Sequence, residues 1–181
     1  MARPPTARAK ALSAFTQILV TSGERAATLD AVAKAAGISK GGLLYHFGSK
    51  EELNEGLVAH LRELIRADIE RMNTDPEGAV AYLLRTSAAF ESDFENVYIA
   101  VAALAQSGDT QAAEVLQEAD DAWFKSVATE VKDDAVARAV VLLSDGIYAH
   151  AAVQRGPTGH DVDELQELIK QLLATRKQQE Q

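Results

Sequence analysis

Residues 39–50 read SKGGLLYHFGSK and gather side chains suited to holding an anion: two lysines, an adjacent tyrosine and histidine, and two serines. Lysine is a charged donor with no acceptor, and tyrosine and histidine can also donate hydrogen bonds to an anion. The glycine pair 41–42 leaves a stretch of backbone bare. The segment is not a nucleotide-phosphate loop. Five residues separate Gly42 from Gly48, Ser49 precedes Lys50 instead of following it, and no strand leads in.

Other chemistries find little to work with. His46, His60, His150 and His160 show neither His-x3-His nor Glu-x-x-His spacing, so no metal site is expected. The chain has no cysteine, which excludes disulfides and thiolate zinc sites and fits a reducing cytoplasm. No serine sits in a nucleophile-elbow setting. We therefore expect no catalysis and no cofactor.

Charge points the same way as the motif. The 181 residues carry a net charge of −9, which speaks against nucleic acid until its distribution is read. Residues 1–50 hold seven Lys/Arg and two acids, a net +5; the remaining 11 basic and 25 acidic residues leave −14 beyond residue 50. A basic head on an acidic body is an electrostatic footprint for phosphate. No apolar run reaches the ~18–20 residues of a membrane helix. The basic start MARPPTARAK leads into an apolar stretch broken by Ser13, Thr16 and Gln17, which reads as an arm and an amphipathic helix, not a signal peptide.

The elements that must position the motif are helices. Abundant alanine and few aromatics (6%) favour them over strands. Leu12, Phe15, Ile18 and Leu19 predict a helix over 6–22, ended by Gly23. Thr28 caps a second helix to Ala36, with Gly37 past its end. Ser39 caps a third to about Phe47, with Leu43 and Phe47 inward. Gly48 stops it, and Ser49 with Glu52 forms a capping box for a long helix ending near Asn73. Asp75-Pro76-Glu77 reads as cap, first-turn proline and first-turn acid. Further helices are expected at 76–90, 92–106, 110–130, 133–154 and 162–177, separated by Gly108, Lys132-Asp133 and Arg155–Gly159. The expectation is an all-α chain of roughly nine helices, divided into residues 1–50 and 51–181.

Two short helices joined by Gly37-Ile38-Ser39 make a helix-turn-helix, which an ordinary αα-corner could also supply. The stretch TLDAVAKAAGISKGGLLYHFGSKEEL, residues 28–53, closely resembles the DNA-binding domain of the TetR (tetracycline-repressor) family of bacterial transcriptional regulators, and the resemblance extends back over the first helix. It implies a recognition helix opened by Ser39, Lys40, Gly41 and Gly42 that enters the major groove, with Lys40 toward a base edge. It also implies phosphate contacts from Tyr45, His46, Lys50 and Thr28, with Arg3 and Arg8 near the groove or backbone. Leu44 stands where the family most often has Tyr, and Gly42 where it often has Thr; Leu44 can touch a thymine methyl but donates no hydrogen bond.

The body beyond residue 50 is less specific. Tyr82, Phe90, Phe94, Tyr98, Trp123, Phe124 and Tyr148 are compatible with core packing or with a mainly apolar ligand cavity. Asp145 falls among Val141, Leu142, Tyr148 and Ala149, so its carboxylate needs a bonded partner, a subunit interface or a ligand. Val136, Ala139, Val140, Leu143 and Ile147, then Leu165, Leu168, Ile169, Leu172 and Leu173, form two stripes. They suit a core, and by the resemblance the last two helices form a homodimer interface. The resemblance implies a cytoplasmic, ligand-responsive regulator of double-stranded operator DNA, a repressor released from a palindromic site by a small, largely apolar effector. The alternative is a helical small-molecule binding protein whose basic head docks a protein partner.

Overall fold

The structure, a computed structural model, describes residues 6–88, 93–152 and 159–179, and the side chains of all of these but 151, 152, 159, 160 and 177–179. Among the described residues there are nine α-helices, one 3-10 turn and no strand. In order they are α1 (Ala7–Ser22), η1 (Glu24–Ala26), α2 (Leu29–Ala36), α3 (Lys40–His46), α4 (Lys50–Thr74), α5 (Ala79–Ala88), α6 (Asp93–Gln106), α7 (Thr110–Val131), α8 (Asp134–Ala152) and α9 (Gly159–Gln179). Arg3, Phe90, the Arg155–Thr158 breaker and the side chain of His160 lie outside the described residues.

The first helices begin and end where local chemistry dictates. Thr6, Thr28 and Ser39 each accept a hydrogen bond from the amide three residues on, satisfying a donor the helix itself leaves open. Gly37 takes φ 65°, a left-handed conformation that costs a glycine little and closes α2. Ser49 accepts from the Glu52 amide at 3.2 Å, and the Glu52 carboxylate accepts from the Gly48 amide at 2.8 Å. The capping box thus closes one residue further back than the expected Ser49 amide.

The start of α5 differs from the sequence expectation. Pro76 and Glu77 lie in a turn and the helix begins at Ala79. Gly78 adopts φ 93°, which no helix continues through, and its amide donates to the Asp75 carbonyl at 3.1 Å. The cap comes from a distant residue: the Glu130 carboxylate accepts from the amides of Ala79 and Val80. A Cβ at position 78 would stand 2.7 Å from that carboxylate, so the site also requires the absence of a side chain.

The chain divides into two compact units, Met1–Leu64 with Ser92–Gln117 and Ile65–Glu91 with Glu118–Gln181. In the first, Ala11, Phe15, Leu43, Leu53 and Leu57 are fully buried, and Phe47 is 3% exposed. Leu43 and Phe47 are inward, as their helical positions predict. Gly56 lets α4 approach this core, since a Cβ there would meet Phe47 at 2.7 Å. In the second, Met72, Leu84, Val127, Ala137 and Val140 form the centre of one apolar cluster. α4 and α7 each run from one unit into the other.

Candidate nucleic-acid interface

α1, α2 and α3 pack Leu12, Phe15, Val32, Leu43 and Phe47 inward and leave one edge of α3 in solvent. Ser39 holds the start of that edge by accepting from the Gly42 amide at 3.0 Å. Lys40, Gly41, Leu44 and Tyr45 are exposed, and Gly42 and His46 are half-buried. Tyr45 is 85% exposed and Leu44 41%, so the fold gains little from either ring or isobutyl group. The Tyr45 and His46 rings meet edge to face at 5.1 Å. Thr28 is exposed at the start of α2, its hydroxyl engaged as the cap. Arg8, on the first turn of α1, lies over the Phe47 ring at 5.3 Å.

The two adjacent glycines have different reasons to be small. A Cβ at Gly42 would stand 3.1 Å from the Ser39 hydroxyl and press on the cap. A Cβ at Gly41 would meet nothing within 4 Å, and φ there is not left-handed. The fold therefore gives no reason for glycine at 41, while close approach of a bulky partner does. Gly41→Ala is expected to stabilise the protein by roughly 0.5–1 kcal/mol, because alanine costs less order in a helix. If α3 lies against DNA as the sequence leads one to expect, the same variant should bind it about tenfold more weakly, as the added methyl holds the backbone off. Denaturant titration and fluorescence anisotropy read the two opposite signs.

Both lysines have partners within the chain that the sequence expectation does not name. Lys50, expected to face a phosphate, donates to the Glu24 carboxylate and to the Glu24 carbonyl, both at 2.9 Å, and is only 31% exposed. Lys40 is exposed but pairs with Asp30 at 2.9 Å. Hydrogen bonds from Lys50 and then Ser107 lower the pKa of Glu24. Sequence reading missed both pairs; the signal available was that Glu24 and Asp30 are the only acids in the first 50 residues.

The candidate ligand residues separate. Phe94 and Tyr98 belong to the first unit and stack with centroids 6.1 Å apart. Tyr82, Trp123, Asp145 and Tyr148 belong to the second. There Asp68, which the sequence reading passed over, joins two of them: its carboxylate accepts from the Tyr82 hydroxyl at 2.7 Å and the Trp123 indole N–H at 3.0 Å. Arg71 donates to the Tyr82 hydroxyl at 3.3 Å and lies 3.5 Å from Asp68. Asp145 is not buried on an apolar face. It is exposed on α8, and one of its expected neighbours, Leu142, points outward at 61% exposure. Partial desolvation and the nearby charge of Asp120 raise its pKa, with Arg138 opposing.

The expected interface stripes also split. Val140, Ile147 and Ile169 are buried within the chain, and Leu165 packs against the same cluster. They are committed to this unit's own core and are not a free surface. Leu143, Leu168 and Leu172 are exposed, with Leu142 beside them. On α9 the reason is register: 165, 169 and 173 form the inner edge, 168 and 172 the outer. No group of three or more metal-ligating side chains occurs, and no helix is long and apolar enough to cross a membrane, among the described residues.

Comparison with known proteins gives the same assignment for the head. Residues 12–57 match the model of bacterial regulatory proteins of the tetR family. The HTH-type transcriptional regulator LmrA of Bacillus subtilis is 40% identical over 88 residues, which cover 46% of this chain and 47% of LmrA, so the chain spans about half the length of that relative. Salmonella enterica GusR is similar in structure over 96% of this chain and 98% of its own, with a TM-score of 0.67 at 21% identity. The multidrug binding protein EbrR, solved with malachite green, matches over 93% and 98% with a TM-score of 0.68 at 23% identity. These structural likenesses extend the fold over both units.

Proposed function

From the match of residues 12–57 to the model of bacterial regulatory proteins of the tetR family, we propose that this chain is a TetR-family transcriptional repressor that leaves a palindromic operator when a small, largely apolar effector binds its body. The observation that carries this reading is the outer edge of α3. Lys40, Gly41, Leu44 and Tyr45 lie in solvent at the start of a short capped helix, and glycine at 41 serves no need of the fold. An α-helix presented this way fits the major groove, with its N-terminal residues at base edges.

Residues 1–50 serve as the DNA-binding domain and 51–181 as the effector and dimerisation body. The exposed leucines of α8 and α9, Leu142, Leu143, Leu168 and Leu172, support a homodimer joined through these helices, since solvent-facing apolar stripes on two neighbouring helices are costly in a monomer. Tyr82, Trp123 and Tyr148 of the second unit are the aromatic candidates for effector contact. EbrR, a structural neighbour, is described as a multidrug binding protein. α4 runs from Lys50 to Thr74 and can carry an effector-dependent shift to the DNA-binding head. The effector must bind the DNA-incompetent state more tightly for this to switch anything.

Sequencing of duplexes selected from a random pool by the purified protein tests this reading. The expected result is an inverted repeat with half-sites about 34–36 Å apart, one turn of DNA. Enrichment of no sequence, or of a single unrepeated half-site, overturns it.

A further inference from the structure

The head of the chain has two acidic residues, and each holds one of the two lysines that bracket the recognition helix. Glu24, in η1, accepts from Lys50 through its carboxylate and its carbonyl, both at 2.9 Å. Asp30, in the first turn of α2, contacts the Lys40 ammonium with its two oxygens at 2.9 and 3.1 Å. The structural value of such pairs is small. The Lys40–Asp30 side chains are 56% and 72% exposed, and solvent screening leaves pairs of that kind little effect on stability. A first-turn acid favours the start of α2 wherever its carboxylate points. Neither consideration explains why both acids stand on these two lysines.

A carboxylate oxygen and a phosphate oxygen are interchangeable acceptors for an ammonium group. We propose that Glu24 and Asp30 are internal competitors of DNA phosphate, which hold Lys50 and Lys40 in the DNA-free protein and restrain its sequence-independent attachment to DNA. The inference rests on the reading of residues 1–50 as a DNA-binding head. Sequence-independent affinity comes almost wholly from phosphate neutralisation, so each masked cation removes one contact from it. A regulator faces a vast excess of non-specific sites, and a head with two fewer free cations is sequestered less by them. Lys50 is the stronger case: it is only 31% exposed and makes two bonds to one residue.

The test is anisotropy titration of a labelled random-sequence duplex with full-length wild type, Glu24→Gln and Asp30→Asn at about 50 to 200 mM KCl. Each variant is expected to bind roughly three- to tenfold tighter near the middle of that range, with a salt slope steeper by about 0.9 for each head that engages the duplex. The Glu24→Gln gain should vanish when Lys50 is also changed to Met. Glu167→Gln, which neutralises an acid of the second unit, should give no gain. Thermal melts report on folding, and Asp30→Asn, in an exposed pair, keeps the question open to measurement if Glu24→Gln unfolds. If the wild type binds and the two head variants bind no tighter, or gain no more than Glu167→Gln, the competitor role is wrong and the DNA-binding reading stands. If neither wild type nor variant binds any duplex at the lowest salt, both readings fall.

Discussion

Replacing Lys40 and Tyr45 together by alanine should abolish binding to the proposed operator and leave the protein otherwise intact. A side chain paired with a base edge is worth about 1–3 kcal/mol of recognition, and a phosphate contact adds about 1. In the proposed two-fold dimer each contact is lost twice. Even at the low end the sum reaches about 4 kcal/mol, or roughly a thousandfold in affinity. The fold gives up little. Tyr45 is 85% exposed, and Lys40 loses an exposed pair with Asp30. The double variant should therefore melt within about 1 kcal/mol of wild type. Single variants separate the roles: Lys40→Ala should relax base preference at one position of the site, while Tyr45→Phe should weaken binding evenly across sequences. Unchanged affinity for the selected operator would refute the placement of α3 in the groove.

The parts of the molecule that were legible in the sequence are those whose determinants lie within a few residues of each other. Thr28, Ser39 and Ser49 each satisfy an amide three positions on, and Gly37 takes the left-handed turn its position demands. The start of α5 was not legible because its cap is Glu130, about fifty residues away, and a carboxylate there looks like any surface acid. Nor were the partners of the lysines. Glu24 reaches Lys50 across 26 positions, a contact fixed by how η1 meets the start of α4. On α8 and α9 both edges are apolar, and period alone cannot tell which edge faces the core. That is why Val140, Ile147 and Ile169 joined the expected interface while Leu142 stayed out of it.

The same limit explains which carboxylate was singled out. Asp145 drew notice for its apolar neighbours, yet it stands at the surface. Asp68 occupies the inner stripe of α4, seven residues after Leu61 and four before Met72, both fully buried. A period of 3.6 places it inward, and the structure gives it the partners such a position requires: Tyr82 and Trp123 donate to its two oxygens. The informative residue was the acid on the buried register, not the acid with apolar letters on both sides.

Asp68→Asn is expected to be the most destabilising conservative change in the second unit. The amide keeps the shape but offers one acceptor where the carboxylate offered two, so the Tyr82 hydroxyl or the Trp123 N–H faces a donor. Arg71 loses its counter-charge at 3.5 Å. Leaving a mostly buried donor unsatisfied and removing a charged acceptor costs about 2–3 kcal/mol, and about 2–4 °C in melting temperature for each of these in a chain of this size. The alkaline side gives an independent readout. Burial first, then the hydrogen bond to Asp68 and its charge, raise the pKa of Tyr82, with Arg71 opposing. The native state thus favours the protonated phenol more than the unfolded chain does. This stabilisation is fully present below the unfolded value of about 10 and is lost as pH rises through the raised native value. In Asp68→Asn the contributions of the carboxylate disappear, Arg71 still opposes, and the native pKa falls toward the unfolded one. The variant should therefore be less stable at neutral pH but lose less on going alkaline, and its phenolate should appear at lower pH in an ultraviolet titration. Equal melting temperatures near neutral pH, or superimposable phenolate titrations, would show that the carboxylate carries neither role.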